Sequence, residues 1–282
     1  MKSMIFQFDR KGAIAVLIVI FLSVQAIGLL SAQKYLGYIE RGELEPAMKN
    51  PDSIDNSVIL FAIILGMTVL IILMIRFARF MIRIIEAVSI FFTSGISFGL
   101  LLSYVMPLGT ADSLSVGLAL GLTAWKMLKP THFSQNIALI FSVSGAGAVM
   151  GVSFGIIPVM VFMLLLSIYD FISVFITKHM VYMAKALTDK PTAFTAAIPT
   201  KTAHYEHVFQ LGGGDIVIPL MFAVSVLARY GLVQSLGAIA GAFIAAIALF
   251  WHVTKNPGRA LPALPPICAG SVIGFIIALM VF

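Results

Sequence analysis

The feature that most constrains the fold of this chain is a series of long apolar stretches. A helix needs about 20 apolar residues to cross the roughly 30 Å hydrocarbon layer of a membrane. Charged residues make up only 11% of the sequence, whereas soluble domains contain about 25%. The sequence therefore predicts an all-α integral membrane protein with nine transmembrane helices, at approximately residues 12–31, 57–76, 84–103, 112–129, 136–155, 157–177, 210–228, 231–252 and 261–282.

These segments leave no stretch for a soluble domain, so residues 1–282 are expected to form one domain. Helices one to six occupy about 12–177, an inner connection runs over about 178–209, and helices seven to nine occupy about 210–282. Pro191, Pro199 and the mildly apolar sequence TAFTAAI predict an irregular connection, part of which could enter the membrane.

The net charge of +6 reflects topology rather than nucleic-acid binding, because the basic residues are divided among the connections. With the N-terminus in the cytoplasm, 14 of the 18 Lys and Arg residues lie inside. The positive-inside rule therefore predicts a cytoplasmic N-terminus and an external C-terminus. The four outer residues are Lys34, Arg41, Lys49 and Arg229.

The first apolar stretch could be a signal peptide, because it follows Lys2, Arg10 and Lys11 and ends near the sequence LLSAQ. Its apolar length exceeds the 7–15 residues usual for the core of a signal peptide, which favours a membrane anchor. We expect the protein to reside in the cell membrane. Cys268, the single cysteine, is expected to be a small packing residue in the last helix.

Small residues recur at four-residue spacing, which in lipid lets helix backbones approach closely. This pattern predicts a tightly packed bundle. The residues concerned are Gly95 and Gly99, Gly117 and Gly121, Gly147, Gly151 and Gly155, Gly237 and Gly241, and Gly270 and Gly274.

Two acidic residues lie within the apolar stretches, whereas the other ionisable residues are expected in loops or at helix ends. Asp170 is inside the sixth segment and Asp215 follows three glycines near the start of the seventh. Insertion of an ionised acid costs about 2.5–3.5 kcal/mol at the membrane centre, so such residues indicate a functional site. At about 1.5 Å per residue, Asp170 lies roughly 10 Å and Asp215 roughly 8 Å from the cytoplasmic boundary.

Two carboxylates at one depth on adjacent antiparallel helices can share a proton, because both cannot ionise cheaply at close range. Such a pair holds a base and an acid together. The ionised aspartate could take a proton from water while the protonated one donates to a substrate carbonyl. Hydrolysis of an amide requires an acid and a base in these two roles. A catalytic dyad of this kind should give a bell-shaped pH dependence.

Glycines and prolines accompany the two acids. Gly212, Gly213 and Gly214 remove side chains next to Asp215 and could admit another backbone, although they could also simply cap or bend a helix. The sequence RALPALPP at 259–266 opens the last helix at the same depth. Prolines commonly begin helices, so its significance depends on that shared depth.

Taken together, these residues resemble the presenilin and signal peptide peptidase family of intramembrane aspartyl proteases. Tyr169-Asp170 matches the family's Y-D motif, Gly212-Gly213-Gly214-Asp215 its G-x-G-D motif and Pro262-Ala263-Leu264 its P-A-L motif, in family order on helices six, seven and nine. The compact loops and the orientation are similar to an archaeal presenilin homologue. A glycine at the variable position 213 is less typical of the family.

The resemblance implies an aspartic endopeptidase of the GxGD type, with Asp170 and Asp215 as the catalytic pair and the Pro-Ala-Leu element supporting the site. It implies transmembrane or signal-peptide substrates, a lipid environment, a possible homo-oligomer, and no metal or other cofactor. It also implies a mobile 178–209 connection and a mobile inner end of helix six. The Tyr169 hydroxyl could orient a carboxylate or water, or the ring could only pack.

Three other activities compete with this interpretation. A proton- or sodium-coupled secondary transporter would also use membrane acids and broken helices, but it leaves the Pro-Ala-Leu sequence unexplained. A serine protease is suggested by G-x-S-x-G at Ser97 and Ser153, although helix packing explains those glycines and no histidine partner is evident. A zinc protease is disfavoured because His204, Glu206 and His207 lack the H-E-x-x-H spacing.

Overall fold

A computed structural model describes residues 10–177, 195–202, 205–255 and 261–282. Nine α-helices and one pair of β-strands, β1 (Thr195–Thr202) and β2 (Tyr205–Gly212), lie within these residues. A π-helical turn over Ile172–Ile176 continues the sixth helix. The helices are α1 (Arg10–Glu40), α2 (Ile54–Phe77), α3 (Arg79–Leu102), α4 (Leu108–Leu128), α5 (His132–Ser153), α6 (Ile156–Phe171), α7 (Gly213–Tyr230), α8 (Leu232–Lys255) and α9 (Leu264–Val281).

The predicted nine-helix membrane architecture is confirmed in the described part of the chain. Eight of these helices are long and apolar enough to cross a membrane. The remaining helix is α4, whose apolar character is diluted by Asp112, Lys126 and several serines, threonines and glycines. The orientation of the two termini stays a prediction from the distribution of charge.

The β-strands were not predicted, because the inner connection was expected to be irregular. β1 and β2 pair in antiparallel register from Thr195 opposite Gly212 to Thr202 opposite Tyr205. The pairing satisfies backbone groups that an irregular chain near the membrane would leave without partners. Because β2 continues to Gly212, the seventh helix begins at residue 213 rather than 210. The expectation of mobility falls largely on residues 178–194, outside the described ranges.

The centre of the bundle is α7, which packs against α1, α5 and α8. Small residues of the neighbouring helices make space for its larger ones. A Cβ atom at Gly151 of α5 would lie 2.5 Å from Val224 Cβ, and one at Gly28 of α1 would lie 2.6 Å from Leu220 Cδ1. Cys268 is buried in α9, as predicted for a packing residue. This packing fixes the helix that carries Asp215.

A close helix crossing joins α8 and α9 at two pairs of glycines, Gly237 with Gly274 and Gly241 with Gly270. A Cβ atom at Gly270 would lie 2.6 Å from the carbonyl oxygen of Gly241, and one at Gly241 would collide with the carbonyl oxygen of Gly270. The prediction of tight packing is therefore confirmed for this pair of helices. It is wrong for Gly117 and Gly121, because α4 turns both outward with nothing within 4 Å of an added Cβ atom.

We expect Gly241→Ala to destabilise the protein by about 1–3 kcal/mol, the usual cost of overpacking a close contact. The measurement is the thermal midpoint of the purified protein in detergent. Gly121→Ala is the matched control. Because it adds the same methyl group to a helix with open space around it, its midpoint should stay the same or rise slightly. Equal destabilisation of the two variants would contradict the described crossing.

A buried ion pair between α3 and α4 was missed by the sequence analysis. Lys126 Nζ lies 2.8 Å from Glu86 Oε1, and both side chains are less than 5% exposed. We expected both residues near a helix end. Since α3 begins at Arg79, Glu86 lies in its second turn, and the antiparallel arrangement of the two helices brings the end of α4 beside it.

Candidate active site

Asp170 lies near the end of α6 and is 5% exposed. The main-chain N–H of Leu264, the first residue of α9, donates to its Oδ2 at 3.1 Å. The π-helical turn follows immediately after Phe171, and such turns are frequent at functional sites. Asp170 is thus held from outside its own helix by the Pro-Ala-Leu segment.

The start of α9 can bind a carboxylate because its first main-chain N–H groups are available, and its prolines decide which residue donates. The first N–H groups of a helix have no intrahelical partner and carry the positive end of the helix dipole. Pro265 and Pro266 have no N–H, so in this first turn the donor comes from Leu264. From the sequence, a shared depth and the family resemblance link this segment to the acids. The main-chain bond to Asp170 supplies a chemical reason.

Asp215 lies in the first turn of α7, where β2 ends. The N–H of Gly212 donates to Asp215 Oδ2 at 3.2 Å, so the aspartate side chain caps its own helix. Unlike Asp170, Asp215 is partly exposed. The hairpin that precedes it is tied to the bundle by Gln135 of α5, whose side-chain amide donates to the carbonyl oxygen of Thr195. Nothing in the sequence around Gln135 marks it for this contact.

The structure brings the two predicted acids together. Asp170 and Asp215 are close enough for their carboxylates to interact electrostatically. Each carboxylate accepts a main-chain N–H at a helix N-terminus, from Leu264 of α9 in one case and from Gly212, which directly precedes α7, in the other. Such an arrangement can hold one proton between two acids and activate a water molecule.

The three glycines differ in their surroundings. A side chain at Gly212 would lie 3.1 Å from Asp215 Oδ2, whereas one at Gly214 would meet nothing within 4 Å. Gly214 is also exposed. Gly214 thus leaves open space next to Asp215 in the chain.

A mostly apolar cavity of about 230 Å³ adjoins Gly213 and Gly214. It lies between α3, α5 and α7. Its lining also includes Ser89, Ile90, Thr93, Ser142, Val143, Ala146 and Val217.

The side chain of Tyr169 contacts α2, whereas that of Asp170 contacts α9. Its hydroxyl donates to Thr68 Oγ1 of α2 at 3.3 Å, and its ring packs edge-on against Phe61 of the same helix. Adjacent residues of a helix point in different directions, which explains the divergence. These contacts connect α6 to α2.

The two serines considered for a serine protease are buried packing residues. Ser97 Oγ donates to the carbonyl oxygen of Phe141, and Ser153 Oγ donates to that of Val149. Both serines are fully buried. Within the described part of the chain, no group of three His, Cys, Asp or Glu residues is placed to hold a metal ion. His204 lies outside the described residues.

Comparison with known proteins supports the resemblance noted in the sequence. A presenilin-family intramembrane aspartate protease solved in space group C222 has a TM-score of 0.71 to this chain at 24% identity, over 95% of this chain and 99% of that one. A second structure, in space group P2, has a TM-score of 0.67 at 24% identity, over 94% and 96%. These likenesses establish the fold.

The sequence itself establishes the family. The model described as "Signal-peptide peptidase, presenilin aspartyl protease" matches residues 15–282, while no curated protein matches the sequence. This match confirms the predicted enzyme class, an aspartic endopeptidase in the membrane, and nothing in it favours a transporter. The chain therefore belongs to the signal-peptide peptidase and presenilin family of aspartyl proteases.

Proposed function

We propose that this protein hydrolyses peptide bonds within or next to transmembrane segments of other proteins, with Asp170 and Asp215 as its catalytic pair. The observation that carries the proposal is that the carboxylates of these acids lie within electrostatic range of each other, where α6, α7 and the start of α9 come together. Asp170 is buried and Asp215 is partly exposed, so one member of the pair has access to incoming groups. Transmembrane and signal-peptide segments are the proposed substrates, and the enzyme acts in the lipid bilayer.

The proposed reaction uses one ionised and one protonated carboxyl group. The ionised group takes a proton from water, which attacks the carbonyl carbon of the scissile bond. The protonated group donates to the carbonyl oxygen as negative charge develops there. Breakdown of the tetrahedral intermediate returns a proton to the leaving nitrogen. The main-chain N–H groups of Gly212 and Leu264 orient the carboxylates during this cycle.

The substrate must be locally extended, because a helix shields its own peptide bonds. The open side of Gly214 and the cavity beside Gly213 offer room for an extended backbone near Asp215. The apolar lining suits side chains from a transmembrane segment. We therefore propose that the scissile bond approaches Asp215 past the glycines.

The test is incubation of the purified, reconstituted protein with a single-span substrate, followed by mass spectrometry of the products. We expect one or a few cuts within or next to the apolar segment. Ser97→Ala is the control, because its hydroxyl bonds to Phe141 within the bundle and should not be needed for cleavage. Absence of cleavage together with ion-coupled flux in the same vesicles would support the transporter instead.

A further inference from the structure

A buried glutamine in α1 reaches the segment that carries Asp215. Gln25 is 2% exposed, and its Nε2 donates at 3.2 Å to the carbonyl oxygen of Ile216. Ile216 is fully buried and follows Asp215 directly. The bond joins residues 191 positions apart in the sequence. Gln25 therefore contacts the main chain next to the proposed catalytic acid.

The first turn of α7 has weak internal support at this point. Gly213 and Gly214 have more conformational freedom than other residues and lower the stability of a helix. Pro219, inside the same helix, has no N–H. The carbonyl of Asp215 therefore cannot accept the usual helical bond from residue 219. A donor from a neighbouring helix would restrict the movement of this turn.

We propose that Gln25 is a positioning residue that fixes the direction of the Asp215 carboxylate through the Ile216 carbonyl. This inference rests on the proposed function. The bond from Gln25 acts on the main chain, and the bond from Gly212 acts on the side chain of Asp215. One bond thus restrains the main chain at the residue after Asp215, and the other restrains the Asp215 carboxylate itself. Gln25 does not itself take part in the reaction.

The simplest competing explanation is that Gln25 only strengthens helix packing, as polar side chains do between membrane helices. Ser235 of α8 provides a matched comparison, because its hydroxyl also donates to a carbonyl of α7. Its acceptor is Ala223, at 2.7 Å, and Ser235 is fully buried. Both bonds join α7 to a neighbouring helix, but the second lies two turns beyond Asp215.

The experiment compares Gln25→Met with Ser235→Ala in the reconstituted enzyme. Methionine is unbranched and apolar, so it retains most of the packing and removes the donor. We expect kcat to fall about 10- to 100-fold in Gln25→Met, the scale of a small misplacement of a catalytic group. KM should change less than threefold, because the substrate does not touch Gln25.

The pH dependence of kcat should also shift, because the coupling of the two acids changes. Ser235→Ala should leave kcat and its pH dependence unchanged.

Gln25→Asn is the second variant, since its amide is one methylene too short to reach Ile216. It should reproduce the loss in kcat. Equal kcat values and pH profiles in wild type, Gln25→Met and Ser235→Ala would overturn the positioning role. Misfolding of both Gln25 variants beside a folded Ser235→Ala would also overturn it, because Gln25 would then be a structural residue. Cleavage that persists in Asp215→Asn would instead contradict the proposed function.

Discussion

Asp170→Asn and Asp215→Asn should each reduce the rate of cleavage on the order of 10⁴-fold or more. When two residues act as one catalytic unit, removing either of them costs about as much as removing both. Asparagine has nearly the same shape as aspartate but can neither ionise nor relay a proton at neutral pH. The measurement is the single-turnover rate on a reconstituted single-span substrate. Asp112→Asn is the control, since Asp112 is an exposed acid in α4, and it should cleave at the wild-type rate.

The double variant tests whether the two acids act as one catalytic unit. If the two acids form one unit, Asp170→Asn combined with Asp215→Asn should be no slower than the slower single variant. A folded single variant that still cleaves at more than about a tenth of the wild-type rate would show that its acid is dispensable. The thermal midpoint of every variant must be recorded, because removing a buried acid changes stability as well.

Gly214→Leu should reduce kcat/KM about 100-fold or more without lowering the thermal midpoint. Gly214 is exposed, and an added Cβ atom would meet nothing within 4 Å, so the fold has room for the side chain. The proposed path of the substrate past Asp215 uses the same room. A displacement of the reacting groups of about 1 Å is enough to cost 100-fold.

Gly121→Leu is the matched control for this variant. Gly121 is also an exposed helical glycine with open space around it, but it lies on the outward face of α4. Its cleavage rate should equal that of the wild type. Unchanged kcat/KM in Gly214→Leu would show that the substrate reaches the aspartates from another side.

The helices and the two acids could be predicted from the sequence because their signals are local. An apolar run of about 20 residues specifies a membrane helix by itself. Asp170 and Asp215 stand out because each interrupts such a run. Their common depth follows from helix direction and the rise per residue. The structure also brings Leu264 of the Pro-Ala-Leu segment to Asp170; the sequence placed this segment at the depth of the acids, and the family resemblance implied that it supports the site.

The features that were missed depend on contacts between distant parts of the chain. β1 and β2 form because they pair with each other, which the residues of either strand do not reveal. Glu86 and Lys126 become partners only when α3 and α4 pack as an antiparallel pair. In the sequence, Gln25 is a single polar residue in an apolar helix, and its contact becomes evident only when α7 packs beside α1. The outward direction of Gly117 and Gly121 likewise depends on how α4 packs.

The pH dependence of kcat tests most directly whether Asp170 and Asp215 share one proton. At low pH both carboxyl groups are protonated and no base remains, whereas at high pH both are ionised and no acid remains. The shared proton therefore predicts a bell-shaped profile whose two apparent pKa values belong to the pair. The reconstituted enzyme should be assayed across the range in which it stays folded and both limbs are accessible. A profile that is flat, or that rises to a plateau without a second limb, would contradict the dyad.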